Sequence, residues 1–528
     1  MKIRSSGAVF LAAGSIFLAG CGVGPKYQRP TLDMPAAYTG PPTLPAPPVA
    51  ATWWRGFRAP DLDRLIAQAQ IGSPDVQAAA ARLVQADQAA RVAGSPLLPT
   101  VTGTLGQNYT RSGNTTGSLL AGLPVSLGPQ PAYTDTRTYS AELSASYEVD
   151  FWGKNRDALH AAQASALASR YDEQTVWLTT ISSIATTYFQ ALSYRERVAI
   201  AQRNLKDAEH VLDAYRAELQ AGTADALDVS QQEALVNGYR AAVPPLESGY
   251  RQQVIALAIL IGVPPEKITL APARLLDLTL PPVAAGIPAD VLRRRPDVQN
   301  AEQQLISQNE TVRQDVANFF PSLQLTASGG LSSLALSTIT GPGTVVASLA
   351  SQLTQTIFDN GLKSGTLGEA KGRYKELAAD YVKAVLQALS DVETALTQES
   401  FDAQQESLEA AAVQTAQRSA DIARAQLAAG TVNIVTVLNT ETTLFNDQDT
   451  LAQVRLSRFL ALVGLYKALG GGWEYPSADA GLGPQATPHE GVPRTTREGV
   501  PRTTHEGVPR KTVGPGAEPP GLPSPEER

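Results

Sequence analysis

The sequence predicts an α+β chain, mainly α, internally duplicated and built from long coiled-coil-like helical hairpins plus four membrane β-strands. Three observations carry that expectation. Two sets of motifs recur at fixed distances, two helical segments of equal length are free of proline, and several segments alternate strictly between polar and apolar residues.

The duplication comes first. Pro74-Asp75-Val76-Gln77 recurs 222 residues later as Pro296-Asp297-Val298-Gln299, and Leu98-Pro99-Thr100-Val101 recurs at the same distance as Phe320-Pro321-Ser322-Leu323. Arg216-Ala217-Glu218-Leu219-Gln220-Ala221-Gly222-Thr223 recurs 208 residues later as Arg424-Ala425-Gln426-Leu427-Ala428-Ala429-Gly430-Thr431. The distance therefore drops by 14 residues between the two sets, which predicts a longer loop in the first half. A period of this size describes two large copies, not a solenoid.

Each half opens with an Ala-rich helical stretch, 61–95 and 289–319, which stops near Pro99 or Pro321 as proline requires. Two-residue alternation follows. Val101, Leu105 and Tyr109 share one face, with Thr100, Thr102, Thr104 and Asn108 on the other. Before the next helix, Tyr139, Ala141, Leu143, Ala145, Tyr147, Val149 and Phe151 alternate with Ser140, Glu142, Ser144, Ser146, Glu148 and Asp150. Such a strand suits a membrane barrel wall, with lipid on one side and water on the other, or the edge of a soluble sheet. Residues 322–331 and about 345–358 carry a weaker copy, and Gly/Ser/Thr/Pro-rich loops at 111–136 and 332–343 join the pairs.

After Gly153 and Gly361 the period becomes helical. Leu205, Ala208, Leu212, Tyr215 and Leu219 keep 3/4 spacing, as do Tyr374, Ala378, Tyr381, Val385, Leu389, Val392 and Leu396, a coiled-coil-like pattern. Both segments break at Ala-Gly-Thr, 69 residues after their opening glycines. At ~1.5 Å per residue each is a rod of roughly 100 Å. The return leg, 224–262 (interrupted near Pro244-Pro245), and the opening stretch of a half together match that length. One long helix is expected to lie beside two shorter ones stacked end to end.

Four strands cannot close a barrel, and an open edge in lipid leaves backbone groups unsatisfied. Membrane-embedded strands would therefore demand an oligomer. Two copies supply eight strands and three supply twelve, the latter wide enough for water; strand counting does not choose between them.

The N-terminus addresses the compartment. Lys2 and Arg4 precede an apolar run from Gly7 to Gly20, and small residues lead into Cys21. Residues 1–20 read as a secretory signal peptide, because the run falls short of the ~20 apolar residues of a spanning helix. Cys21 is the only cysteine, so no internal disulfide exists. Its place after Leu18-Ala19-Gly20 resembles the bacterial lipobox, in which the thiol is lipidated and becomes the mature N-terminus; an unmodified thiol is the alternative. Gly22 stands where an inner-membrane-retained lipoprotein often has Asp.

Composition excludes several classes. A net charge of −7 with 18% charged residues argues against a nucleic-acid binder. Of four histidines, His489 and His505 lie in a repetitive tail, while His160 and His210 stand alone on helical stretches. That leaves no material for a Cys/His metal site or a His-based triad. No enzyme activity is expected.

The motifs together resemble the TolC-like outer membrane efflux proteins, particularly the lipoprotein branch labelled NodT or OprM-like, from about Trp53 to Trp473. They are Trp53-Trp54 with Phe57, Asp150-Phe151-Trp152-Gly153-Lys154, Leu260-Ile261-Gly262-Val263-Pro264, and Phe358-Asp359-Asn360-Gly361. The most specific is Ile287-Pro288-Ala289-Asp290-Val291-Leu292-Arg293-Arg294-Arg295-Pro296-Asp297-Val298, followed by Ala301-Glu302. Arg293-Arg294-Arg295 could bind anions, but in the family the run marks a helix start.

The resemblance implies a homotrimer with a 12-stranded β-barrel in the outer membrane and an α-barrel crossing the periplasm. It implies a passive duct for drugs or other toxic small molecules, joined by a periplasmic adaptor to an inner-membrane transporter. It also implies that Cys21 carries covalent diacylglycerol and palmitoyl lipid; no other cofactor is expected. The closed periplasmic entrance would lie at the hairpin tips, Gly222-Thr223 to Asp228 and Gly430-Thr431 to Asn439. Relatives often carry carboxylates at the second tip. This chain has Thr436 and Asn439 there, so an acidic ring would come from Asp225 and Asp228, which otherwise read as solvated loop-tip acids. The exit duct of a type I protein-secretion system shares the fold, and a non-conducting envelope structural lipoprotein is a further alternative.

The expected organisation is therefore a signal peptide (1–20), a lipid-anchored Pro-rich segment (21–52), two repeats (53–285 and 286–475) and a tail (476–528). The tail holds three near-copies of an eight-residue unit around Glu-Gly-Val-Pro-Arg and reads as disordered.

Overall fold

A computed structural model describes residues 22–38, 49–113, 133–282, 288 and 293–472. The signal peptide, Cys21, most of the first long loop and the tail lie outside the described residues.

The first half runs α1 (Pro60–Gly72), α2 (Pro74–Gly94), β1 (Thr100–Gly113), β2 (Tyr133–Val149), α3 (Lys154–Gln220) and α4 (Ala226–Ile261). The second runs α5 (Pro296–Ala317), β3 (Ser322–Ser333), β4 (Val345–Thr354), α6 (Leu362–Ala428) and α7 (Ile434–Ala468). The two rods expected after Gly153 and Gly361 are α3 and α6, each 67 residues long.

The four long helices end alike. Gly222, Gly262, Gly430 and Gly470 all take positive φ, between 72° and 76°. In each case the glycine N–H and the next N–H fold back onto the last-turn carbonyls, as from Thr223 to Glu218 and from Thr431 to Gln426, both at 2.9 Å. This is the Schellman stop, which favours glycine because a Cβ opposes the left-handed conformation.

The end-to-end stacking is observed in both halves. A Cβ on Gly262 would lie 2.0 Å from the Gly72 carbonyl oxygen and 3.3 Å from Pro74 Cδ, so the foot of α2 rests on the end of α4. In the second copy a Cβ on Gly470 would lie 2.4 Å from the Arg294 carbonyl oxygen, just before α5.

The strands of the first half run further than expected, since β1 reaches Gly113 and β2 begins at Tyr133, inside the segment 111–136 expected to be a loop. Two helix expectations also differ from the structure. The helical stretch 61–95 is split at Ser73, whose ψ of 121° is extended, because the residue before a proline is pushed out of the α region. Conversely, α4 is continuous through Pro244 and Pro245 where an interruption was expected. Those prolines are exposed, as are Arg240 and Ala241, whose carbonyls would have accepted the missing bonds. Water can satisfy them there, so proline does not force a break.

Apolar clusters hold the helices together. Trp53, Trp54 and Phe57 pack with Leu62 and Leu65 against Ile184, Tyr188 and Phe189 of α3 and Phe459 of α7. Val298 and Leu305 of α5 meet Tyr381, Val385 and Val392 of α6. Nearer the tips, Leu212 and Tyr215 of α3 cluster with Val236 and Tyr239 of α4 and Ile434 and Val437 of α7. The apolar stripes are thus used, although Leu219, at the end of the first, remains exposed.

Candidate functional site: barrel wall and hairpin tips

The four strands form one antiparallel sheet in the order β1-β2-β3-β4, so β2 and β3 join the two halves and β1 and β4 are its edges. The register sorts the faces. Thr102 opposes Ser144, Ser144 opposes Ser328, and Ser328 opposes Ser348. Hydroxyls meet along that row, with Thr102 and Ser144 at 2.7 Å and Ser328 and Ser348 at 2.9 Å. Glu142 and Glu148 belong to this polar face. The other face carries Val101, Leu105, Leu143, Leu325 and Leu349. Leu105 is 87% and Leu349 84% exposed, which fits hydrocarbon and not water. Among the described residues no helix is long and apolar enough to cross a membrane.

At the strand-to-helix joint the Trp152 indole N–H donates to the Pro321 carbonyl at 2.9 Å, and the ring stacks on Phe320. Asp150 accepts the backbone N–H groups of Asn155 and Arg156. Asp359 does the same for Gly361 and Lys363. Each carboxylate thereby satisfies free donors at a helix start and complements its dipole.

At the tips, the structure puts Gly222, Thr223, Asp225 and Asp228 in one turn and Gly430, Thr431 and Thr436 in the other. Thr223 Oγ1 donates to the Glu218 carbonyl and Thr431 Oγ1 to the Gln426 carbonyl, at 3.1 and 3.0 Å. Asp225 caps α4 by accepting from Leu227 N–H at 3.2 Å, while Asp228 accepts from Asp225 N–H at 3.4 Å. This reciprocal pair is a capping box. Asp228 is half-buried beside Tyr215. Burial first, then the charges of Asp228 and Glu218, push that phenol up to about 12. Asn439 lies further along α7 and its side chain is exposed.

Asn433 was missed by the sequence reading. Its side chain accepts from Thr436 N–H at 3.1 Å and from Thr436 Oγ1 at 2.9 Å, so it caps α7 as Asp225 caps α4. The signal was available: Asn433 stands 208 residues after Asp225, the distance already read from the flanking repeat.

The arginine run is structural at its last member. Arg295 is buried; its guanidinium donates to both carboxylate oxygens of Asp297 at 3.0 and 2.6 Å and to Asp391 of α6 at 2.7 Å. It ties the start of α5 to α6 beside the end of α7.

A second group was also missed. His160, expected to stand alone, lies 4.0 Å from Glu310, and Asp157 completes the cluster with ligand-type atoms within 4.8 Å of one another. Arg313 contacts Asp157 at 3.0 Å and Glu310 at 3.1 Å, so a guanidinium already supplies the positive charge. Burial raises the Asp157 carboxyl to about 6, with Glu310 and Asp150 adding to the rise and Arg313 and His160 opposing it. The backbone near Gly22 and Gly24 packs on Arg313. From there the N-terminal segment follows α5: Asn309 donates to the Pro25 carbonyl, and Arg29 forks onto buried Glu302 at 2.6 and 2.7 Å.

A sheet with one lipid-facing side, carried on two 67-residue rods, matches one known family along most of the chain. Residues 65–263 and 287–471 match the family described as Outer membrane efflux protein. The chain is an outer membrane efflux protein. It is 39% identical over 436 residues, 80% of this chain and 87% of the relative, to the pyoverdine export outer membrane protein OpmQ of Pseudomonas aeruginosa. It is 28% identical over 482 residues to the probable outer membrane lipoprotein SilC of Salmonella typhimurium, covering 90% of this chain and 99% of that one. Its fold superposes on the open-state MtrE outer membrane channel of Neisseria gonorrhoeae with a TM-score of 0.77. The identity is 26%, over 86% of this chain and 98% of that one. This efflux protein therefore resides in the outer membrane and reaches into the periplasm. It acts as a channel component and not as an enzyme, and its fold is the mainly helical, duplicated α+β architecture expected from the sequence.

Proposed function

We propose that three copies of this efflux protein close a twelve-stranded barrel and work as the passive outer-membrane duct of a tripartite pump. The observation that supports this most directly is the sheet itself: a polar face, a lipid-compatible face and two open edges, β1 and β4. Open edges in hydrocarbon cost several kcal/mol per unsatisfied group, and pairing β1 of one copy with β4 of the next removes them all. Twelve strands leave a water-filled lumen. On this reading Cys21 carries diacylglycerol and palmitoyl lipid, each buried CH₂ adding ~0.8 kcal/mol of membrane affinity. The tips at Gly222 to Asp228 and Gly430 to Asn439 form the closed entrance and meet a periplasmic adaptor, through which an inner-membrane transporter supplies the energy. Three copies of Asp225 and Asp228 would make the acidic ring at that entrance, attracting cations, while Thr436 and Asn439 leave the second tip neutral.

For cargo, the 39% identity to a pyoverdine export protein favours a pyoverdine-like molecule over a polypeptide. Photo-crosslinkers placed at Gly222 and Gly430 in cells test the assembly. Capture of an adaptor of a proton-driven pump is expected, while capture of a type I secretion adaptor would replace the efflux reading, and capture of none would remove the duct reading. In planar bilayers Asp228→Ala is expected to raise conductance; an unchanged trace would remove Asp228 from the gate.

A further inference from the structure

We propose that Arg111 and Arg137, with Tyr109 and Tyr133, form a site on the outside of the barrel for the phosphorylated head group of an outer-leaflet lipid. Strand parity places them. Arg111 pairs with Asp135, and Tyr109 with Arg137, in the row that continues downward through Leu105 and Leu143. On that face the described strand residues carry charge only at Arg111, Asp135 and Arg137. Every lower position is apolar, small or uncharged.

Their height fits a membrane boundary. Tyr147 stands on the same face at the helix end of β2, ten residues after Arg137 along the strand. At ~3.3 Å per residue and a tilt of roughly 40°, that separation spans about 25 Å of membrane, the height of the apolar band of such barrels. Because the helices extend into the periplasm, the Arg137 row sits at the outer boundary. The outer leaflet there is rich in lipopolysaccharide, whose phosphates lie at that level.

The chemistry also fits. Arg111 lies 4.9 Å above the Tyr133 ring and Arg137 5.6 Å from the Tyr109 ring, so both guanidinium planes are held against aromatic faces. Among the described residues one carboxylate shares the patch: Asp135 contacts Arg111 at 3.3 Å. One positive charge is left over, and all three charged side chains are exposed. A guanidinium binds phosphate through two parallel hydrogen bonds, and it does so more strongly at the edge of hydrocarbon than in water. The site needs the sheet to be a barrel wall, but it is independent of cargo and of pump partners.

The test uses the detergent-solubilised full-length protein and two probes: rough-type lipopolysaccharide, and the same lipid after chemical removal of its phosphates. Native mass spectrometry reads the lipid retained. The unaltered protein is expected to retain the phosphorylated form roughly tenfold better. Arg111→Gln with Arg137→Gln should abolish the preference, and Arg111→Lys with Arg137→Lys should keep part of it. A heat-resistant oligomer band checks that each variant has assembled. Equal retention of both probes by the unaltered protein would overturn the site, as would an undiminished preference in an assembled glutamine variant.

Discussion

Gly470 and Arg294 are in direct backbone contact: the end of α7 presses on the turn that starts α5, with 2.4 Å between a notional Gly470 Cβ and the Arg294 carbonyl oxygen. The same contact joins Gly262 to Gly72 in the other half. It is the point at which two short helices become one pillar beside a rod. Gly470→Ala is expected to destabilise by more than the ~1–3 kcal/mol of left-handed strain alone. Gly222→Ala, where nothing lies within 4 Å, should show the strain alone. Thermal unfolding of both variants in detergent decides, and equal losses would mean that the close approach carries no weight.

Arg295 serves two carboxylates from a buried position. Arg295→Ala leaves Asp297 and Asp391 without their cation and is expected to cost about 3–5 kcal/mol in urea unfolding. Lysine should recover only a fraction, since a single ammonium cannot fork onto Asp297 and reach Asp391 together.

The Asp157 cluster predicts a pH dependence with a definite sign. The folded-state carboxyl sits near 6, above its ordinary value of 3.8. Between those values the folded state holds a proton that the unfolded chain releases, so this contribution is present at low pH and is lost as pH rises toward 6. Asp157→Asn should flatten that segment of the stability curve between about pH 4 and pH 6. An unchanged curve would show that Asp157 titrates as an ordinary carboxylate.

The tip caps can be separated from tip charge. Asp225→Ala and Asn433→Ala each remove an N-cap and are expected to cost ~0.5–2 kcal/mol locally, seen as faster hydrogen exchange in 226–230 and 434–438. Asp225→Asn keeps a capping oxygen and removes the charge. It should leave exchange nearly unchanged, and any conductance change it produces belongs to electrostatics.

Much of this architecture was legible because it rests on local rules. Left-handed glycines stop helices, so Gly222 and Gly430 marked the tips; parity sorts strand faces, so Leu105 and Thr104 fell on opposite sides. Pro244-Pro245 misled because proline breaks a helix only where the freed carbonyls lack water, and exposure is not written in the local pattern. Asn433 carries no charge to mark it at the second tip, whereas a cap needs only an oxygen.

The sequence by itself determined the duplication, the lengths of the rods, the strand faces and the helix stops, because each depends on residues near one another in the chain. Only the tertiary structure decided that Asp157 and His160 meet Glu310, that Arg29 reaches Glu302, and that Arg295 bridges to Asp391. Those partners lie tens to hundreds of residues apart, and burial, not spacing, selects which charges must pair. The end of α7 could be read as a glycine stop, but that Gly470 needs its missing side chain to admit Arg294 is a fact of packing.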